Sequence, residues 1–279
     1  MHWQTRHQTL DLARRGVVMG VLNVTPDSFS DGGRHDALEL ALSHARRMIG
    51  EGAEIIDIGG ESTRPGASMV PEELEISRTL PVIRALRADW SGLISIDTSK
   101  AGVAREALRA GADIVNDVSG LMGDPNMIEV CRESGCGVIV MHRQGTPDVM
   151  QRAPRYDDVV REVREFFEER FETLTVAGIR AKALSFDPGI GFGKTLDHNL
   201  ELLRRLDHLS PAGRPLWLGV SRKSFIGRVL ESDRLEDREW PTVALTARAR
   251  ELGVRLHRVH EVKPNLEALR MIEAILDGV

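Results

Sequence analysis

The chain has 279 residues, a hydrophobic fraction of 42% and a formal net charge of −5 from 37 basic and 42 acidic side chains. A chain of this length and composition can bury a substantial core, either as one α/β barrel or as two ordinary domains. The acidic balance excludes a general electrostatic attraction to nucleic acid or to an anionic membrane, so an anionic ligand must be held by local positive groups.

Targeting signals and linkers are not evident along the chain. No run approaches the ~18–20 apolar residues of a membrane-spanning helix, and residues 1–16 contain no apolar stretch typical of a secretory signal. No linker or low-complexity tract divides the sequence, which favours one domain over 1–279. Cys131 and Cys136 fit neither a CxxC motif nor a zinc site, and we expect no structural disulfide in a cytoplasmic protein.

Eight short runs rich in Val, Ile and Leu recur along the chain, and each is typical of a strand buried on both faces. They span 17–23, 54–59, 93–98, 113–117, 137–142, 183–187, 216–221 and 254–260. Helix-prone segments follow them at 37–52, 71–89, 99–111, 124–135, 157–178, 195–209, 223–230, 242–253 and 264–276. Pro81 predicts a kink or a break in the second of these helices. The alternation predicts a single-domain (β/α)₈ TIM barrel, with residues 1–16 covering its bottom.

Polar or glycine-rich clusters follow the apolar runs, at the end of the barrel where active sites of this fold lie. That end collects the polar side chains of Asn23, Asp97, Asn116, Asp187, Lys223, Arg258 and His260. Asn23 begins a loop rich in Ser, Asp and Gly, whose oxygen atoms suit Mg²⁺; a plain polar turn is the alternative. The loops 25–33 and 60–67 are predicted to be mobile surface loops.

Asp97 and Asn116 end two neighbouring strands, where a carboxylate and an amide together can bind the N–H, amino and carbonyl edge of a heterocycle. Alone, Asp97 could instead be the N-cap of the helix that follows it. Asp187 is the second residue of the stretch FDPGIGFGKT, whose glycines allow the backbone to approach a ligand closely. The spacing of these glycines does not match a nucleotide-binding P-loop.

The ends of the last two strands carry positive or proton-bearing groups. GVSRKSFIG supplies Lys223, and HRVHEV supplies Arg258 and His260. Loops after strands seven and eight of such barrels often form a phosphate site. These three side chains can therefore converge on a pyrophosphate, although a lone histidine is more often structural.

Taken in chain order, eight segments resemble the motifs of the dihydropteroate synthase family. They are NVTPDSFSDGG, DIGGESTRPGA, SIDTSK, ADIVNDVSG, VIVMHRQGTP, FDPGIGFGKT, GVSRKSFIG and RVHEV. The resemblance implies a (β/α)₈ barrel, usually homodimeric. It also implies an enzyme that joins 4-aminobenzoate to 6-hydroxymethyl-7,8-dihydropterin diphosphate and releases pyrophosphate with Mg²⁺ present. Arg143 departs from the family, which commonly has an apolar residue there.

The resemblance also implies a role for each matching residue. The pterin-binding set is Asp97, Asn116, Asp187 and Lys223, and Asn23 is linked to Mg²⁺. Arg258 and His260 hold the pyrophosphate, and Thr63 contacts the pterin diphosphate. The 4-aminobenzoate pocket, where sulfonamides also bind, contains Thr63, Arg64, Pro65, Phe192, Ser221 and Lys223. Met141, Gly191 and Gly219 complete the expected substrate-binding residues.

Two other functions stay open on the sequence. A barrel serving methyl transfer from methyltetrahydrofolate to a corrinoid protein would share Asp97, Asn116 and Asp187. It would not need the TPDSFSDGG, STRPG or SRK and RVH segments, all of which are present. An inactive paralogue acting as a binding protein is the second alternative, although every expected catalytic position is filled.

Overall fold

A barrel of parallel strands forms the centre of the protein. The computed structural model describes residues 1–25, 34–62, 69–145 and 150–277. Within these ranges a short antiparallel hairpin precedes eight parallel strands. The hairpin is β1 (His2–Gln4) and β2 (Thr9–Asp11). The barrel strands are β3 (Val17–Asn23), β4 (Ile55–Gly59), β5 (Leu93–Asp97), β6 (Ile114–Asp117), β7 (Gly137–Met141), β8 (Leu184–Asp187), β9 (Trp217–Leu218) and β10 (Leu256–Val259).

The strands pair in chain order, and the last one returns to the first. The order is β8-β7-β6-β5-β4-β3-β10-β9. The circle is completed by a parallel bridge between Phe186 and Leu216, beside which the Phe186 N–H donates to the carbonyl of Pro215 at 3.0 Å. This closed arrangement confirms the predicted (β/α)₈ barrel.

Helices follow the barrel strands. In the described ranges they are α1 (Arg34–Gly50), α2 (Glu72–Asp89), α3 (Ala101–Ala110), α4 (Met127–Ser134), α5 (Val159–Val176), α6 (Leu196–Arg204), α7 (Ser224–Leu230), α8 (Glu239–Glu251) and α9 (Val262–Asp277). None of these helices is both long and apolar enough to cross a membrane. α6 is shorter than predicted, because the chain leaves it at Arg205 for a single turn of 3₁₀ helix over Leu206–His208.

Two other details differ from the sequence prediction. Of the kink or break predicted at Pro81, the break is wrong, because α2 continues through the proline. The proline is exposed while its neighbours Leu80, Val82 and Ile83 are buried, so packing holds the helix together across the missing hydrogen bond. The seventh barrel strand was expected over 216–221 but β9 is short, because the backbone turns where the Lys223 N–H donates to the Val220 carbonyl at 3.1 Å.

Side chains of the barrel strands alternate between the barrel interior and the helix layer, as the two-residue period of a strand requires. The interior residues near the amino ends form one apolar cluster with the hairpin. Trp3 of β1 packs there edge-on against Trp217, with ring centroids 5.6 Å apart. The outward residues form the larger cluster with the helices.

Polar side chains replace apolar ones in the interior near the carboxyl ends. Asn23, Gly59, Asp97 and Asn116 are paired in register across four neighbouring strands, β3 to β6. Asp187 of β8 pairs with Met141 of β7. The inward alternation therefore brings residues far apart in sequence to the same level of the barrel.

Candidate active site

An arginine between two buried carboxylates forms the centre of the polar layer. Arg258 Nε donates to Asp57 Oδ2 at 2.6 Å, and its Nη2 donates to Asp97 Oδ2 at 2.7 Å. Asn116 Nδ2 donates to the same oxygen of Asp57 at 3.1 Å. Burial alone would lower the pKa of Arg258, but the carboxylates of Asp57 and Asp97 raise it above its ordinary value. The guanidinium therefore stays charged and fixes both acids.

Asp97 differs from a surface aspartate in its proton affinity. Burial raises its pKa to about 7, against the opposing charge of Arg258 and with the support of Asp57. The Oδ1 atoms of Asp97 and Asp57 are buried, and neither finds a hydrogen-bond partner in the part of the chain that the structure describes. Buried polar atoms are normally paired. These acceptors are thus suited to the N–H groups of a ligand in the barrel mouth.

Asp187 lies at the opposite side of the interior, at the end of β8. Its Oδ1 accepts from the Gly189 N–H at 2.7 Å, which fixes the carboxylate against the glycine loop. Burial raises the pKa of Asp187, and Lys223 opposes this shift. A Cβ atom on Gly219 would lie 3.4 Å from Asp187 Oδ2, an ordinary van der Waals contact, so this glycine lies directly beside the carboxylate.

Lys223 is held by the glycine loop between β8 and α6. Its Nζ donates to the carbonyl of Ile190 and lies 4.5 Å from the centroid of the Phe192 ring. Burial lowers the pKa of Lys223 to about 8, and Asp187 partly offsets this. Gly191 has φ +85°, and a Cβ atom there would approach Lys223 Cδ to 3.3 Å. The loop thus defines the position of this ammonium group.

Ser221 orients His260 at the end of β10. Its Oγ lies 2.9 Å from His260 Nδ1 and accepts from the His260 backbone N–H at 3.2 Å. Ser221, Lys223 and His260 are half-buried, whereas Asp97, Asn116 and Asp187 are buried. The positive groups at the ends of the last two strands therefore lie nearer to solvent than the acids.

Asn23 is the predicted metal-linked residue. A Cβ atom on Gly59 would lie 3.8 Å from Asn23 Oδ1 and equally far from Asp97 Oδ2, so both oxygen atoms flank this glycine. Within the described ranges no group of three or more His, Cys, Asp or Glu residues could hold a metal ion. Mg²⁺ is commonly bound through one or two protein oxygens together with water and substrate phosphates, and the amide oxygen of Asn23 fits that mode.

The structure places most of the sequence-predicted residues at this end of the barrel. Met141 belongs to the inward row of β7 and is 5% exposed. Thr63, Arg64 and Pro65, like most of the loops 25–33 and 60–67, lie outside the described residues. Arg143 is half-buried; burial lowers its pKa, and the charge of Asp117 opposes this. Since Asp117 lies one residue beyond the inward Asn116, Arg143 interacts with an acid outside the inward row.

Sequence reasoning missed Asp57, His142 and Lys194. Asp57 could have been found from the run EIIDIG, where an acid interrupts an otherwise apolar strand at an inward position. His142 and Lys194 gave no such signal, because His142 is the polar end of a predicted strand and Lys194 belongs to a glycine-rich loop, positions where polar residues are ordinary. The structure buries both side chains, at 7% and 2% exposure.

Comparisons with known proteins agree with this geometry. The family model described as "Pterin binding enzyme" matches residues 19–260. A dihydropteroate synthase from Escherichia coli is 47% identical over 273 residues, covering 97% of this chain and 95% of the relative.

Solved structures of similar proteins cover the chain equally well. The Yersinia pestis dihydropteroate synthase in a sulfonamide complex has a TM-score of 0.93 at 45% identity, and covers both chains fully. The Xanthomonas albilineans dihydropteroate synthase with 4-aminobenzoic acid has a TM-score of 0.92 at 42% identity, covering 100% of this chain and 98% of that one. With this fold, this barrel mouth and these relatives, the chain belongs to the dihydropteroate synthase family.

Proposed function

We propose that the chain joins 4-aminobenzoate to 6-hydroxymethyl-7,8-dihydropterin diphosphate, giving 7,8-dihydropteroate and pyrophosphate. The observation that carries the proposal is the buried set of Asp97, Asn116 and Asp187 with Lys223 beside it. The dihydropterin ring, with its 2-amino and 4-oxo groups, presents N–H donors and a carbonyl acceptor along one edge. Two carboxylates, an amide and an ammonium group supply the matching acceptors and donors.

The carboxylates have a second role in the reaction. The methylene carbon of the pterin loses its bond to the diphosphate oxygen and becomes electron-deficient, and the nearby charges of Asp97 and Asp187 stabilise that carbon. The neutral amine of 4-aminobenzoate then forms the new C–N bond and releases a proton to solvent. The chemistry needs no covalent nucleophile and no strong general base on the protein.

Departure of pyrophosphate requires positive charge near its oxygens. Lys223 supplies it from the end of the seventh barrel strand and Arg258 from between the acids, and His260 adds a polar group at the end of β10. Asn23 Oδ1 would hold Mg²⁺ together with the diphosphate oxygens, and the ion would neutralise part of the leaving-group charge. Ser221 keeps the His260 ring oriented toward this region.

We place the second substrate nearer to solvent than the pterin. We assign 4-aminobenzoate to the half-buried region of Phe192, Ser221 and Lys223, completed by Thr63, Arg64 and Pro65. Two relatives bind this chemistry, since the Xanthomonas albilineans protein holds 4-aminobenzoic acid and the Yersinia pestis protein holds a sulfonamide. A sulfonamide carries the same arylamine and should compete for the same region.

We further propose a cytoplasmic homodimer formed as one domain per chain. Helices α8 and α9 pack against each other and expose several large apolar side chains, among them Trp240 at 77%, Met271 at 65% and Ile275 at 68%. Exposed apolar surface of this kind marks an interaction site. Analytical ultracentrifugation should give twice the mass of the chain. Trp240→Ser should shift the equilibrium toward the monomer. A wild-type monomer at micromolar concentration would contradict the proposal.

The test of the reaction is release of pyrophosphate from the pterin diphosphate, with 4-aminobenzoate and Mg²⁺ present and 7,8-dihydropteroate identified by mass. Asp187→Asn keeps the size of the side chain but removes its charge, so we expect it to lower the rate about 10-fold or more. Wild-type protein that binds the pterin without turnover would indicate an inactive paralogue. Methyl transfer from methyltetrahydrofolate to a corrinoid, without pyrophosphate release, would indicate the other alternative.

A further inference from the structure

A buried lysine outside the proposed substrate contacts holds the glycine loop. Lys194 Nζ lies 3.0 Å from His142 Nδ1, 3.1 Å from the Gly189 carbonyl and 3.1 Å from the Phe192 carbonyl. An ammonium group has three donors and no acceptor. These three acceptors are the nearest to it, the His142 carbonyl follows at 3.5 Å, and all four lie on the segments that follow β7 and β8.

The buried environment of the Lys194 ammonium group lowers the stability of the folded protein. It forms no salt bridge with an acid in the described part of the chain, and its side chain is almost fully buried. Burial lowers its pKa to about 7; Lys223 adds to the shift, and Asp187 opposes it. A buried cation without a paired anion is costly. Costs of this kind are expected where function requires a particular geometry.

The loop that Lys194 holds is the one that positions Lys223. Gly189 and Gly191 have φ of +63° and +85°, so this backbone depends on contacts from outside the loop to select one conformation. The Ile190 carbonyl accepts from Lys223 Nζ, and the Phe192 ring lies beneath the same atom. Displacing the Gly189 or Phe192 carbonyl would therefore displace both contacts of Lys223.

His142 gives the lysine a fixed partner. Its ring packs edge-on against Phe166 with centroids 4.9 Å apart and lies 6.0 Å from the ring of Tyr156. Burial lowers the pKa of His142 to about 2, and the charge of Lys194 contributes. The imidazole is thus neutral at physiological pH, and its Nδ1 can accept a hydrogen bond from the ammonium group.

We infer that Lys194, held by His142, is a positioning residue that keeps the loop 189–192 in the conformation that places Lys223 for the pterin diphosphate. The inference rests on the proposed function of Lys223. Lys194 is not among the proposed substrate contacts; it acts through the Ile190 carbonyl and the Phe192 ring.

The first test replaces Lys194 by methionine, which has a similar length and no charge. We expect Lys194→Met to raise the KM for the pterin diphosphate about 10-fold or more, the loss expected when a charge-assisted contact is misplaced. The thermal midpoint should fall little or rise, because an unpaired buried charge is removed. An unchanged KM in an active, folded variant would overturn the inference, whereas an inactive wild type would instead overturn the proposed function.

A pair of substitutions at His142 keeps the test decisive if Lys194→Met does not fold. His142→Asn retains an acceptor near the position of Nδ1, and His142→Leu removes it. We expect the asparagine variant to keep a KM within about 3-fold of wild type and the leucine variant to resemble Lys194→Met. Equal KM values for the two variants would count against a role of the hydrogen bond.

Ser185→Ala is the matched control for a merely structural effect. Ser185, like Lys194, is a buried polar residue, and it lies in β8. Its hydroxyl donates to the Val138 carbonyl and accepts from Trp217 Nε1, both at 2.9 Å. It lies nearer to the amino ends of the strands than the proposed substrate contacts do. Its loss should reduce stability and leave the KM unchanged.

A double variant tests the route through Lys223. The affinity for the pterin diphosphate, measured by calorimetry, should fall when Lys194→Met is introduced into the wild-type protein. When Lys194→Met is introduced into the Lys223→Met variant, the affinity should change less than about 3-fold. Equal losses in both backgrounds would show that Lys194 acts by another route.

Discussion

Arg258 has two roles: it is proposed to hold pyrophosphate, which the sequence indicated, and it pairs with two buried acids, which the sequence did not indicate. Its guanidinium was predicted to hold pyrophosphate, but two of its nitrogen atoms are engaged by Asp57 and Asp97. Asp57 is fully buried and has no contact with solvent to stabilise its charge. Removing one partner of a buried ion pair leaves an uncompensated charge and costs several kcal/mol. A substitution of Arg258 would therefore reduce stability as well as activity.

Another buried ionisable residue, His257, lies outside the active site on the helix-facing side of β10. It is fully buried, and burial lowers its pKa to about 3 from the ordinary value of 6.5. Between pH 6.5 and pH 3 the unfolded chain binds a proton at this position that the folded protein excludes. The folded state therefore loses stability as the pH falls, by roughly 1.4 kcal/mol per pH unit.

We predict that His257→Leu removes this dependence. When the pH is lowered from 7 to 5, the free energy of unfolding of the variant minus that of wild type should increase by roughly 2 kcal/mol. Urea titrations of both proteins at the two pH values measure the change. If the free energies of unfolding of the variant and of wild type differ by the same amount at both pH values, His257 titrates equally in the folded and unfolded states.

At the scale of elements, the β1–β2 hairpin supports the barrel at the end away from the substrates. Trp3 is fully buried, and its Nε1 donates to the Ala183 carbonyl at 2.8 Å. The same ring packs on Trp217 of β9, the shortest barrel strand in the described chain. The hairpin therefore supports the strand that depends most on contacts outside the sheet.

We predict that Trp3→Ala lowers the free energy of unfolding by about 3–5 kcal/mol, the usual cost of removing a buried aromatic side chain. The KM and kcat of the folded fraction should stay near wild type, because the hairpin lies at the amino ends of the strands. Trp3→Phe should recover most of the stability. Denaturant titration and steady-state kinetics on the same samples separate the two effects, and a selective rise in KM would contradict this division.

Strand positions were predictable because each strand carries its own signal. The apolar runs located the barrel strands, and the polar residue at each end indicated which side carries the site. Pairing across the barrel gave no such signal: Asp57 and Arg258 are 201 positions apart, and their ion pair exists only once β4 and β10 face the same interior. The same holds for Lys194, whose acceptors belong to two separate loops.

At the scale of the whole molecule, the barrel interior has two levels with different physical roles. The lower level is apolar and is closed by the hairpin. The upper level contains carboxylates, an amide and cations whose charges are incompletely paired. A reacting group that enters the upper level meets charges already in position, so little reorganisation is needed during the reaction.

This arrangement also predicts the order of substrate binding. Asp97, Asn116 and Asp187 are buried, whereas Ser221 and Lys223 are only half-buried, so the pterin should bind beneath the arylamine. An anion held by Lys223, Arg258 and His260 would complete the upper wall of the arylamine region. We predict that a sulfonamide binds at least ~5-fold more tightly when pyrophosphate and Mg²⁺ are present, corresponding to a coupling of ~1–3 kcal/mol.

Calorimetric titration of a sulfonamide into the free protein, and into protein saturated with pyrophosphate and Mg²⁺, measures this coupling directly. Because linkage is reciprocal, the sulfonamide should strengthen pyrophosphate binding by the same factor. Sulfate at matched ionic strength controls for screening of the same cations. If the sulfonamide binds the free protein as tightly as the saturated one, the arylamine region exists without the anion, and the order proposed for the two substrates is wrong.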